Sequence, residues 1–235
     1  TCALPILGGA IDLGSFSILL TVFWIVGITN SINLVDGIDG LACGLILLSC
    51  VTLSFVYLER NMVEASFLAI ILTGSIFGFL IFNFPPAKII LGDTGSLPLG
   101  LLISLITLLP LSQKHTDEIY YLIPIITLLI PILDTTFAFF RRLLKGISPF
   151  SKDAQHFHHR LIKLGFSQLK TITILFIVCF YLNLTSLLPA YNIDLIPNFI
   201  PLYFLFVIIN IGVLLLLLKR LEKKKQEKYH GNLFE

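Results

Sequence analysis

A chain of 235 residues that is 56% hydrophobic and only 13% charged, with a mean hydropathy of +0.94, is too apolar for a soluble globular domain. The composition predicts a polytopic membrane protein. The net charge of +2 comes without a basic surface interleaved with aromatics, which argues against nucleic-acid binding.

The chain opens on Thr1 and apolar sequence, with no basic segment followed by a cleavage site. No signal peptide is expected there, and the opening reads as that of a fragment. Cys2, Cys43, Cys50 and Cys179 are scattered through apolar sequence without a C-x-x-C pair. They are expected to be buried small hydrophobes rather than disulfide partners or zinc ligands.

In chain order, the apolar runs cover residues 16–32, 41–58, 65–84, 96–112, 119–140, 171–188 and 199–218. Each is close to the ~20 residues with which a helix crosses a bilayer, whereas barrel strands would be about half as long and alternating. The pattern predicts an all-α bundle of seven transmembrane helices within residues 1–218, followed by a basic tail at 219–235.

Seven spans place alternate connections on opposite sides, and the basic residues divide accordingly: 14 of the 16 fall on one side, leaving Arg60 and Lys114 on the other. Positive charge accumulates on the cytoplasmic side. The segments around 30–41, 84–96 and 141–170 and the C-terminal tail are therefore expected to share the cytoplasmic face. The tail, Lys219 through Lys225, reads as a stop-transfer anchor in preference to a patch for anionic lipid.

The first run ends in Asn30-Ser-Ile-Asn-Leu-Val-Asp-Gly-Ile-Asp-Gly-Leu41. Asn30, Asn33, Asp36 and Asp39 recur every third residue, so on a helix or helix-to-turn junction each lies beside the next. A capped turn needs fewer side-chain oxygens than these four residues supply. Polar groups stranded in hydrocarbon cost a few kcal/mol each, so the patch is expected to meet a metal, a polar substrate or water. Gly37 and Gly40 would let a ligand approach the backbone.

The second polar stretch, from Asn83 through Pro85, Pro86 and Lys88 to Gly92-Asp93-Thr-Gly-Ser-Leu97, closes one span and opens the next. Asp93 could serve as a helix N-cap. Its place on the same face as Asp36 and Asp39 suits a second role, because carboxylate, amide and water oxygens are what Mg²⁺ takes while it also holds phosphates. A helix N-terminus beside it would attract phosphate as well.

The third stretch runs from Asp134 through Arg141 and Gly146 to Asp153, then His156-Phe-His158-His159-Arg160-Leu161. A zinc site would need a fourth ligand from elsewhere, and no cysteine is near. Histidine and arginine donors suit a diphosphate as it gathers charge in a transition state.

Together NSINLVDGIDGLA, NFPPAKIILGDTGSL and the run from Asp134 through RRLLKG to DAQHFHHRL resemble the polyprenyl-phosphate N-acetylhexosamine-1-phosphate transferases, a family related to the phospho-MurNAc-pentapeptide translocase. The likeness covers residues 10–190, about the C-terminal two-thirds of that family's fold. HFHHRL is similar to the bacterial branch that initiates O-antigen, enterobacterial common antigen and teichoic acid. The translocase branch tends toward three consecutive histidines.

The resemblance implies transfer of a HexNAc-1-phosphate from a UDP-sugar such as UDP-GlcNAc to undecaprenyl phosphate, with release of UMP, at the cytoplasmic face of the bacterial inner membrane. It implies Mg²⁺ as cofactor, with Mn²⁺ as a substitute, and membrane lipid and a homodimer as further partners. By motif position it makes Asn33 and Asp93 the metal ligands and Asp36 a catalytic or metal-organising carboxylate. It assigns Asn30, Asp39, Asn83 and Arg160 to substrate and His156, His158 and His159 to the diphosphate. An acidic pair that the family carries on an earlier cytoplasmic connection has no counterpart here.

Three rival readings accompany this one. The first is translocase activity proper. A secondary transporter is the second, and Asp134 with Pro131 inside a span invites it. No internal repeat supports that reading, and the polar groups fall at span ends. The third is a non-catalytic membrane scaffold.

Overall fold

The computed structural model describes residues 3–6, 9–12, 16–112, 119–148, 155–191, 212 and 219–220. Among the described residues, eight α-helices follow a short hairpin. Strands β1 (Ala3–Ile6) and β2 (Gly9–Asp12) pair antiparallel, with Ala3 opposite Asp12. The helices are α1 (Phe16–Val35), α2 (Leu41–Glu59), α3 (Val63–Asn83), α4 (Gly92–Leu108), α5 (Ile119–Thr127), α6 (Leu129–Leu144), α7 (Phe157–Lys163) and α8 (Gln168–Tyr191).

The fold is the expected helical membrane bundle, to which the hairpin is an addition. Helices α1, α2, α3 and α8 are each long and apolar enough to cross a bilayer, and α4, at 17 residues, is a shorter apolar helix. The seventh expected span, residues 199–218, lies outside the described residues apart from 212, as does the tail beyond 220.

Helix α2 is the centre of the bundle and packs against α3, α5 and α8. Two thirds of its apolar window (67%) is buried, against 22% for α1. Ile46, Cys50, Leu53 and Tyr57 face a core shared with α1, α3 and α4, and Leu41 and Leu45 face a second core shared with α6, α7 and α8. Cys43, Cys50 and Cys179 are buried and free, as expected of small hydrophobes. The outer faces of α1 and α3 expose Phe23, Val26, Phe67 and Phe77. Such faces need no protein cover where lipid is the solvent.

The run at 119–140 departs from a single straight span. It is two helices joined at Leu128, and the second continues four residues past the expected end. The cause is Pro131, which has no N–H to give the carbonyl four residues earlier, that of Thr127. The Ser49 hydroxyl of α2 donates to that carbonyl at 2.8 Å. A neighbouring helix thus supplies the hydrogen bond that proline removes, as hydrocarbon surroundings require.

Helix α4 begins at Gly92, one turn before the expected start, so Asp93 lies in its first turn. A carboxylate there is favoured by the helix dipole. The C-termini of α1, α3 and α6, the N-termini of α2, α4 and α8, and α7 all meet at one end of the bundle. Contacts of Asn33 with Asp93, Asp39 with Ala87 and Gly37 with His158 hold that end together.

Candidate active site

The polar end is assembled from three loops, and each has a local reason for its shape. Helix α1 stops at Val35, and Gly40 takes φ +74° at the start of α2, a left-handed conformation that costs glycine little. The chain therefore turns back within five residues. The buried Asn83 side chain locks this turn to the second loop: its Oδ1 accepts the Gly40 N–H at 3.0 Å and its Nδ2 donates to the Ile89 carbonyl at 2.8 Å. The Ala87 N–H donates to Asp39 Oδ2 at 3.3 Å. Asn83 and Asp39, assigned from the sequence to substrate, are therefore also fasteners between the first two motifs.

Across this junction Asn33 Nδ2 donates to Asp93 Oδ1 at 2.8 Å and to the buried Ser96 hydroxyl at 2.9 Å. Asp36 stands just past the end of α1, with the Gly92 amide near its carboxyl. Burial pushes its carboxyl up to about 6; the Gly92 amide opposes that rise, and the charges of Asp93 and Asp39 add to it. Asn30 does not join them. It is exposed one turn earlier on α1, and among the described residues no hydrogen bond ties it to the other motif side chains. The three-residue spacing drifts around the helix, and only its later members converge.

The third motif docks onto the first. His158 is buried against Gly37, where any Cβ would collide with the imidazole Nε2, and among the described residues that nitrogen has no hydrogen-bond partner. Burial lowers His158 to about 4, with the neighbouring His159 adding to the effect. It is thus a neutral ring near pH 7. The rings of His158 and His159 lie 4.1 Å apart and that of His156 stacks on His158 at 5.9 Å. His159 and Arg160 are half-buried on α7.

His156, at the N-terminus of α7, meets Asp134 Oδ2 through Nδ1 at 2.9 Å, and the Phe157 N–H donates to Asp134 Oδ1 at 2.7 Å. Arg141 Nη2 donates to the Gln155 carbonyl at 3.1 Å and closes the loop from α6 to α7. Asp134 is committed inside the histidine motif rather than left open at mid-membrane, which is not the arrangement a transporter site needs.

An oxygen set of Asp36, Asp93 and the Asn33 amide, in which two carboxylates repel each other, fits a hard cation that also holds phosphate. Among the described residues no group of three His, Cys, Asp or Glu is close enough to hold a metal by protein ligands alone. Mg²⁺ does not require one, since it keeps waters and substrate oxygens. A cleft of about 610 Å³ between α3 and α4, lined by Leu72, Ser75, Leu105 and Ile106, is apolar and holds none of the motif residues.

Residues 2–110, which contain the first two motifs, match the family model described as glycosyl transferase family 4. Over those residues, just under half of its length, the chain is similar to that family. A probable undecaprenyl-phosphate N-acetylglucosaminyl 1-phosphate transferase of Bacillus subtilis is 42% identical over 185 residues, which is 79% of this chain and 51% of that protein. A decaprenyl-phosphate N-acetylglucosaminephosphotransferase of Mycobacterium leprae is 35% identical over 68% of this chain and 45% of its own length. A phospho-N-acetylmuramoyl-pentapeptide-transferase of Streptococcus uberis is 40% identical over 48% of this chain and 34% of its own. The chain spans about half the length of the curated relatives it matches.

Proposed function

We propose that this chain carries the catalytic end of a transferase that moves N-acetylhexosamine-1-phosphate from a UDP-sugar to undecaprenyl phosphate and releases UMP. The observation that carries the reading is the convergence of Asn33, Asp36 and Asp93 with the histidine motif at one end of a membrane bundle. The longer match to the N-acetylglucosaminyl relative favours UDP-GlcNAc over a MurNAc-pentapeptide donor. The charge division supports a cytoplasmic position for this end in a bacterial inner membrane, where initiation of an envelope polysaccharide would take place.

In the reaction an oxygen of the lipid phosphate bonds to the sugar-bearing phosphorus of the donor. The bond from that phosphorus to the bridging oxygen breaks, and UMP leaves with the electron pair. A phosphate monoester with a second pKa of about 6 is largely dianionic at neutral pH and needs little activation. The protein's tasks are alignment and charge stabilisation.

Asp36, Asp93 and Asn33 would hold Mg²⁺, which when bound supplies neutralising charge to the diphosphate oxygens. Asp39 and Asn83 keep the two loops in register, and Asp39 would stand toward the nucleotide end. His156 and His159, with Arg160, would offer donors to the diphosphate. His158 would serve by locking the motif to Gly37, since its ring is buried and neutral.

The test uses membranes carrying the chain in its full natural reading frame, undecaprenyl phosphate, Mg²⁺ and UDP-GlcNAc labelled in the sugar and in the phosphate next to it. Both labels should enter the lipid fraction in equal amounts as UMP appears. Transfer of the sugar label alone, with UDP released, would contradict the reading.

A further inference from the structure

We propose that Asp134 is a positioning residue that fixes His156 for the diphosphate, a role that rests on the transferase reading above. Asp134 lies in α6, 22 residues from His156, and is 3% exposed. Both of its oxygens are used on the histidine motif: Oδ1 takes the Phe157 amide at 2.7 Å and Oδ2 takes His156 Nδ1 at 2.9 Å.

Two contacts to consecutive residues fix more than one contact can. The amide bond sets where α7 begins, and the ring bond sets how the first imidazole is turned. With a carboxylate opposite Nδ1, one ring proton sits on Nδ1, and Nε2 donates to a diphosphate oxygen when the ring carries its second proton, as His⁺ paired with Asp134. The ring is further held by the parallel face of His158 at 5.9 Å and by His159 at 6.2 Å. His158 in turn rests on Gly37 of the first motif. Asp134 therefore ties the third motif to α6 while His158 ties it to α1.

A merely structural carboxylate would anchor α7 whether or not His156 were present. A positioning carboxylate acts through that ring, so the two roles separate in a double substitution. Asp134→Asn keeps an oxygen for the Phe157 amide but turns an N–H donor toward Nδ1, which forces that nitrogen to accept and so excludes the doubly protonated ring that Asp134 would pair with. Asp134→Asn should lower kcat about 10–100-fold, in the range seen for outer partners of ligating histidines, and leave KM for UDP-GlcNAc within about threefold. In a His156→Ala background the same change should alter kcat by less than about twofold. A full additional loss there would overturn the positioning role.

Ring spectra give an answer that depends neither on turnover nor on the variant at 134. In ¹⁵N-histidine-labelled protein, the resonances lost in His156→Gln identify His156, and in the wild type they should report a proton on Nδ1. A wild-type ring protonated on Nε2 alone would overturn the proposal. If the wild type releases no UMP while its His156 spectra show the Nδ1 proton, the transferase reading fails and the Asp134–His156 arrangement stands.

Discussion

Gly37 and His158 pack so closely that the imidazole Nε2 occupies the space a side chain at position 37 would need. The two residues belong to motifs 121 positions apart in the chain, and their contact is the point where the first motif meets the third. Gly37→Ala should therefore push the histidine motif off its seat. We expect a stability loss of about 1–3 kcal/mol from overpacking and a clear drop in turnover. His158→Ala in the same chain should recover the stability, because it vacates the contested volume. Thermal unfolding of the two single variants and the double variant checks this, and additive losses would contradict the packing described.

Two titrating groups at this junction oppose each other in acid. Asp36, raised from 3.8 to about 6, favours folding fully below 3.8 and loses that contribution as pH rises through about 6. His158, lowered from 6.5 to about 4, is neutral in both states above 6.5; as pH falls toward 4 the unfolded chain takes up the proton first and the fold weakens. His158→Gln should flatten the acid loss, removing on the order of 3 kcal/mol of pH dependence, and Asp36→Asn should steepen it. Unfolding temperatures from pH 7.5 down to 4 read both slopes. Bound Mg²⁺ should pull Asp36 down and shift the acid limb of activity to lower pH.

The bend between α5 and α6 offers a test without chemistry in it. Ser49→Ala orphans the Thr127 carbonyl and should cost about 1–3 kcal/mol. Restoring an N–H with Pro131→Ala should remove most of that cost, leaving under about 0.5 kcal/mol. Equal losses with and without Pro131 would mean that the serine does not stand in for the missing amide.

Much of the bundle is legible in the sequence because lipid-facing and core-facing positions must both be apolar, so spans stand out as runs. Asn33, Asp36 and Asp93 are legible as a group because span alternation puts odd-numbered ends together. The Asp134–His156 pair is not: neither residue type nor a separation of 22 announces a buried carboxylate–imidazole contact, and only packing of α7 against α6 creates it. The break at Leu128 is signalled by Pro131, yet its tolerance depends on Ser49, which lies 78 residues from Thr127. Asn30 falls away from the site because helical geometry turns the triplet spacing off the shared face. His158 reads from sequence as a donor and is instead a buried neutral spacer, which the glycine opposite it explains.

The cytoplasmic orientation proposed for the polar end rests on the basic residues and is open to direct labelling. Cysteines placed at the exposed positions Asn61 and Lys88 lie at opposite ends of α3. In intact cells a membrane-impermeant thiol reagent should modify the first and not the second. The reverse pattern would turn the candidate site outward, away from any cytoplasmic UDP-sugar.

The central claim is that Asp93, held by Asn33 at 2.8 Å beside Asp36, is part of the machinery for phosphoryl transfer. The most direct measurement is UMP release from UDP-GlcNAc by Asp93→Asn across a Mg²⁺ titration, in membranes where the variant's insertion matches the wild type. The account predicts a fall of 100-fold or more, on the scale of about 3 kcal/mol in the barrier, with no recovery at high Mg²⁺. Wild-type release at every Mg²⁺ concentration would contradict it.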